Sequence, residues 1–196
     1  MLSRRPAAFA ILALVIFTIW ITWQAKSLEL SLRESHARPA MIGKQAPDFQ
    51  LVALDGRTVS LADFRGKKRV VLGFWASWCG PCRIELPVMR RFYQSKQAKG
   101  ANFEFLAISL DEDRDVAEVA AKRDKLPFPV LMDSGGKTAG KYQVEAIPTL
   151  LLINENGKVE WGETGFQAAT EIILATQLGI KNYTPQFGTP TDANAH

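Results

Sequence analysis

An α/β domain built on one mixed sheet, with helices on both faces, is predicted by three observations. Short apolar runs rich in β-branched and aromatic residues alternate with stretches of helical periodicity. A strand-helix-strand succession in mid-chain requires a parallel pair, and an Asn-Gly turn nearer the C-terminus joins two further runs into an antiparallel hairpin. The composition, 47% hydrophobic and 22% charged over 196 residues with 14 Gly and 10 Pro, allows a buried core. It excludes a collagen, a coiled coil and a wholly disordered chain.

The elements follow in order. Phe49 to Val52 and Thr58 to Ser60 bracket Leu54-Asp55-Gly56-Arg57 and predict a small hairpin. Arg69 to Trp75 (RVVLGFW) and Phe103 to Leu110 (FEFLAISL) are strands separated by a helix over Cys82 to Lys99. Asp111 to Lys125 predicts a helix with Val116, Val119 and Ala120 on its apolar side and its charges on a solvated face. Pro129 to Met132 is a short strand and Lys137 to Tyr142 a short helix. Thr149 to Ile153 and Lys158 to Trp161 flank the turn Asn154-Glu155-Asn156-Gly157. A last helix, Gln167 to Leu178, stops at Gly179. No internal repeat is visible.

The termini differ in character from this core. Arg4 and Arg5 precede an uncharged run from Ala7 to Trp23, which as a helix spans about 25 Å, the short end of what a bilayer needs. Trp20 and Trp23 suit an interfacial belt, and the arginines orient the chain with its bulk outside the cytoplasm. A cleaved signal peptide is the competing reading, with Ala25-Lys26-Ser27 as a weak site; at Trp23-Gln24-Ala25 the Trp is too bulky. The expected organisation is a transmembrane anchor over residues 1–25, a polar linker over 26–41, the domain over 42–180 and a disordered tail over 181–196.

Charge excludes one class of partner. Arg4 and Arg5 carry two of the 24 basic residues, so against 20 acidic ones the rest of the chain is nearly balanced and offers no basic field for nucleic acid. Two cysteines occur, as Cys79-Gly80-Pro81-Cys82, too few for a disulfide scaffold or a four-thiolate metal site. At a strand-to-helix turn this spacing puts both sulfurs on one helical face, close enough for a disulfide to open and close. Cys79, at the helix N-terminus, meets unpaired N–H groups that favour a thiolate and is the expected nucleophile. Cys82, one turn inside, is the expected resolving thiol. Pro81 fits the first turn, and Gly80 lets a partner chain approach closely. A purely structural disulfide is the bland alternative, though so short a loop confers little entropic stabilisation.

Phe74-Trp75-Ala76-Ser77-Trp78-Cys79-Gly80-Pro81-Cys82 resembles the active-site stretch of thioredoxins, and Ala146-Ile147-Pro148-Thr149 resembles their cis-proline loop. Gly43 to Phe49, Leu61 to Lys67, the extra helix and strand within Asp111 to Asp133, and Arg83-Ile84-Glu85-Leu86-Pro87 are similar to the membrane-anchored thiol:disulfide reductases of the TlpA and ResA type. The resemblance covers roughly residues 42 to 180. It implies a thioredoxin-like fold carrying a helix-strand insertion, without cofactor or metal. It also implies dithiol/disulfide exchange on the outer side of a bacterial inner membrane, serving cytochrome c or copper-centre assembly. By the same resemblance Pro148 faces Cys79 in cis, the Ile147 backbone pairs with a client strand, and Glu85 takes the proton of Cys82. From the residues alone, Glu85 equally serves as a complement to the helix dipole, and Pro148 as an ordinary strand-start proline. Gly73 departs from the pattern, standing where thioredoxins carry a buried Asp. Trp75 alternates inward, whereas Trp78 is placed for contact with clients.

Rival uses of the thiol pair are a Cu(I) chaperone, a disulfide-forming oxidase and a peroxidase of the peroxiredoxin type. Against the chaperone, no His lies near the pair, Met89 is a core helix position, and Pro148 crowds a metal; His36 and His196 fall in linker and tail. Against the peroxidase, Trp75-Ala76-Ser77-Trp78 replaces the Pro-rich, Thr-bearing motif it expects. A reductase in an oxidising compartment needs electrons from across the membrane, and the expected partners are client disulfides and a polytopic thiol relay.

Overall fold

The computed structural model describes residues 5–34 and 38–185. Helix α1, Arg5–Glu34, forms a unit of its own, and the residues from Arg38 onward form the second. In the second unit the order is β1 (Gln50–Val52), β2 (Thr58–Ser60), a 3₁₀ turn (Leu61–Phe64), β3 (Arg69–Trp75) and α2 (Gly80–Gln94). Then come α3 (Lys96–Lys99), β4 (Phe103–Ser109), α4 (Arg114–Arg123), β5 (Val130–Met132), α5 (Lys137–Lys141), β6 (Thr149–Ile153), β7 (Val159–Thr164) and α6 (Thr170–Gln177).

Five strands make one mixed sheet in the order β5-β4-β3-β6-β7, with β5, β4 and β3 parallel and β6 and β7 antiparallel. β1 and β2 form a separate antiparallel pair. The central strand β3 is buried on both faces, as its unbroken apolar run demands. Val71 and Trp75 join a core layer with Cys82, Leu86, Met89 and Phe92 of α2 and Leu174 of α6. Val70, Leu72 and Phe74 face the opposite layer, with Phe49, Leu61 and Tyr142. This is the thioredoxin-like α/β arrangement that the sequence predicts.

Several details differ from expectation. α4 buries Ala117, Ala120 and Ala121, while Val116 and Val119 are exposed, Val119 by 69%. The i, i+3, i+4 spacing is kept, but the stripe that faces the sheet is the one of small side chains. α2 runs through Pro87, because its buried stripe from Cys82 to Phe92 outweighs one lost backbone hydrogen bond. Residues 26–34, expected as linker, continue α1; they hold good helix formers and neither Gly nor Pro.

The transmembrane anchor expected within residues 1–25 is not shown. Apolar residues from Ile11 to Trp23 are exposed, but among the described residues no helix is long and apolar enough to cross a membrane. The uncharged run is short and hands over to charged turns within the same helix. The start of the expected tail is structured. Tyr183 stacks edge-on against Phe92 with centroids 5.2 Å apart and donates its hydroxyl to Glu171 Oε2 at 2.9 Å. Arg4, His36 and residues 186–196, His196 included, lie outside the described residues.

Gly73 leaves little room for a side chain. A Cβ there would stand 3.0 Å from Phe105 Cζ and 3.2 Å from Leu150 Cδ2, so the place of the thioredoxin Asp is filled by hydrocarbon. Gly73→Ala is therefore expected to destabilise the protein by about 1–3 kcal/mol through overpacking, measured as a lower urea midpoint at unchanged slope.

Candidate active site

The cysteines sit where β3 hands the chain to α2. Cys79 is the N-cap residue, extended at φ −80° and ψ 109°, and Pro81 occupies the first turn, where no N–H is required. Cys79 and Cys82 are joined in a disulfide with their Cα atoms 5.3 Å apart. Cys79 Sγ accepts the backbone N–H of Cys82 at 3.2 Å, the place an N-cap oxygen ordinarily takes. The same N–H is set to stabilise a Cys79 thiolate once the disulfide opens. Cys79 retains 5% exposure and Cys82 none, so Cys79 is the one of the pair that reaches solvent.

The Ile147–Pro148 peptide bond is cis, and the Ile147 carbonyl oxygen stands 3.7 Å from Cys79 Sγ. Two clasps hold this loop. Thr149 Oγ1 donates to the Ala146 carbonyl at 2.7 Å and lies 3.0 Å from Thr164 Oγ1, while Gly165 N–H donates to the Pro148 carbonyl at 2.8 Å. Trp78, 71% exposed, projects beside Cys79, whereas Trp75 is 1% exposed and belongs to the core. Gly80 and Pro81 are also exposed. The structure thus brings Cys79, Cys82, Ile147 and Pro148 together, with Trp78, Gly80 and Pro81 on the rim.

Glu85 is 3% exposed, one helical turn beyond Cys82 and on the same face. Burial pushes its carboxyl up to about 8, and the charge of Glu163 adds to the rise. So deep a position goes beyond what a helix-dipole complement requires.

Two residues of the neighbourhood were not legible as site residues in the sequence. Asp111, 3% exposed after β4, accepts Ser77 N–H at 3.0 Å, Ser77 Oγ–H at 2.7 Å and Ser109 Oγ–H at 2.8 Å. It ties the loop before Cys79 to the end of β4. Glu163 lies on β7 opposite Leu150. The expected strand stopped at Trp161, and extending its alternation by two residues would have placed Glu163 on the face of Trp161.

A helix-capping disulfide opposite a cis-proline, on a five-stranded mixed sheet, defines a thioredoxin-like redox domain. The chain belongs to the AhpC/TSA family, whose model matches residues 42–162. Among curated relatives it is 41% identical over 118 residues to the thiol-disulfide oxidoreductase ResA of Bacillus cereus, covering 60% of this chain. The match spans 66% of that relative, just under two thirds of its length. To ResA of Geobacillus kaustophilus it is 31% identical over 172 residues, covering 88% of this chain and 91% of the relative. Among solved structures it is similar to StoA from Bacillus subtilis, with TM-score 0.57, 30% identity, and coverage of 67% of this chain and 97% of that one. A thiol-disulfide oxidoreductase from Bacteroides fragilis matches at TM-score 0.57 and 31% identity, covering 69% and 99%.

Glu85 also makes stability depend on pH. Its carboxyl holds a proton in the folded disulfide form up to about pH 8, whereas in the unfolded chain it ionises near 4.5. Between these values the folded state binds the extra proton, so stability falls as pH rises through the window and levels off above it. Urea unfolding of the oxidised protein from pH 5 to 9 is expected to show a loss of a few kcal/mol, and Glu85→Gln is expected to flatten it.

Proposed function

We propose that this protein is an exported thiol:disulfide oxidoreductase that reduces disulfides of client proteins. The observation that carries the reading is the Cys79–Cys82 disulfide capping α2 opposite the cis Ile147–Pro148 bond. In the dithiol state the Cys79 thiolate attacks a client sulfur, forming a mixed disulfide and expelling the client's other sulfur as a thiolate. The Cys82 thiol then passes its proton to Glu85 and attacks Cys79 Sγ. The second client sulfur leaves, the client has gained two electrons, and Cys79–Cys82 is again a disulfide. A group that titrates close to the ordinary thiol range suits transfer in both directions, which supports Glu85 in that role.

Trp78, Gly80 and Pro81 form the contact rim for the client, and the Ile147 backbone pairs with a client strand across Pro148. Residues 1–25 carry the domain out of the cytoplasm and keep it at a bacterial inner membrane. The support is the pair Arg4 and Arg5 ahead of the uncharged run, together with the kinship to ResA. Clients of the apocytochrome c or copper-centre kind fit a reductase in that compartment. A polytopic membrane thiol relay serves as electron donor, since α1 holds no cysteine.

Cys82→Ser is expected to accumulate mixed disulfides with clients, recovered by non-reducing gels of the exported domain, and Cys79→Ser to accumulate none. The opposite pattern reverses the two roles. The direction of electron flow is read from the potential. Gly80 and Pro81 add no cation or extra donor around Cys79, and Arg83 is exposed beyond the pair, so stabilisation of the thiolate is moderate. Equilibration with glutathione is expected to give a midpoint below about −220 mV, whereas one near −120 mV would identify a disulfide-forming oxidase.

A further inference from the structure

Glu163 is among the buried acids that the mechanism leaves unused. Glu163 is 7% exposed, and its register partner Leu150 belongs to the core layer that contains Cys82 and Leu86. Gly73 follows in the same row across the sheet. A one-residue bulge fixes this placement: Leu152 pairs with Trp161 and Ile153 with Val159, so Glu160 has no register partner. Val159 consequently faces one core layer, while Trp161 and Glu163 face the layer of α2.

Thr170, fully buried at the start of α6, holds this acid. Its Oγ1 lies 2.8 Å from Glu163 Oε1, to which it donates, and 2.8 Å from the Gln167 carbonyl oxygen. Among the described residues, the charge that acts on Glu85 is that of Glu163. α2 itself contributes Cys82, and β7 contributes Glu163. Glu171 of α6 is engaged elsewhere, its Oε2 accepting the Tyr183 hydroxyl, and the charge of Arg91 on α2 acts on that same tyrosine. β3, Arg69–Trp75, contributes no acid.

We propose that Glu163 is a positioning residue for thiol exchange: with Glu85 it forms a buried carboxyl pair sharing one proton, and the Thr170 hydrogen bond keeps the charge on Glu163 and the proton on Glu85. The inference rests on the reading of Glu85 as proton acceptor for Cys82. Two carboxylates in one water-poor layer do not ionise together, and a hydroxyl donor favours the charged form of the acid it serves. Glu163 therefore acts on the sulfur only through Glu85, and sets the pH at which Glu85 is free to take the Cys82 proton.

The test is the pH profile of client-disulfide reduction by the prereduced protein, from pH 5 to 9, for the wild type, Glu163→Gln, Glu85→Gln and the double variant. Glu163→Gln keeps the shape and removes the charge. Its profile is expected to move toward acid by about one unit, which makes reduction about fivefold faster at pH 7 if Glu85 begins from about 8. In the Glu85→Gln background the same change is expected to do nothing more, as befits one pathway. Thr170→Val, which removes the hydroxyl, is expected to move the profile the same way by less, and gives the answer should Glu163→Gln fail to fold. A Glu163→Gln profile superimposed on the wild type, beside an altered Glu85→Gln profile, overturns the pair while leaving Glu85 as acceptor. An effect of Glu163→Gln that persists without Glu85 overturns it as well. An unaltered Glu85→Gln profile removes Glu85 from the reaction, and the pair with it.

Discussion

A carboxyl group taken out of water one helical turn beyond Cys82 constrains the rest of this domain. Glu85 has almost no exposure, and its proton affinity is raised first by that burial. Such a group is tolerable when it carries a proton, and a proton that sits close to a thiol is one the thiol can exchange. The layer around it is arranged accordingly, with Leu86, Met89 and Phe92 of α2 and Leu150 and Leu174 excluding solvent. Phe105 and Leu150 occupy the space at Gly73 where thioredoxins carry their acid. The buried acid of this layer thus stands on the helix that bears the cysteines, and the central strand carries none.

Positioning of the sulfurs is a separate matter and depends on backbone. Cys79 takes the N-cap place of α2, so its sulfur receives an N–H that the helix cannot otherwise use. The loop before it is held by Asp111 through the Ser77 amide and hydroxyl, and the loop opposite by Thr149 and Gly165. Neither clasp touches the sulfurs. Both hold their loops from elements of the sheet, which lets the rim residues Trp78, Gly80 and Pro81 stay open to a partner.

Local signals in the sequence were legible and long-range ones were not. β3 spans the run Arg69–Trp75 that its β-branched and aromatic residues mark out, and the Asn154–Gly157 turn joins β6 to β7. The two cysteines declare their chemistry by spacing alone. On α4, hydrophobicity points to Val119 over Ala117 as the inward residue, yet close approach of helix and sheet selects the smaller side chains. The helical extent of α1 past residue 25 was hidden by charge, which marks exposure and not the end of a helix. Asp111 and Glu163 were missed for a different reason: each acts on residues far away in the chain, and the contact depends on register that no local pattern encodes.

The bulge in β7 has a consequence for how such a site diverges. Glu160 is the unmatched residue, and it is engaged on the outside by Arg69 at 2.8 Å and by Asn154 at 3.0 Å. The bulge lets Val159 and Trp161 face opposite layers although they lie two apart, and beyond it alternation is strict: removing Gly162 would set Glu163 opposite Leu151 and turn it to the opposite layer without altering any residue of the active-site helix. A change in strand length is then equivalent to exchanging an acid for whatever stands next to it. Relatives with an identical Cys-x-x-Cys stretch can differ in their acid-base surroundings by a single insertion or deletion two strands away.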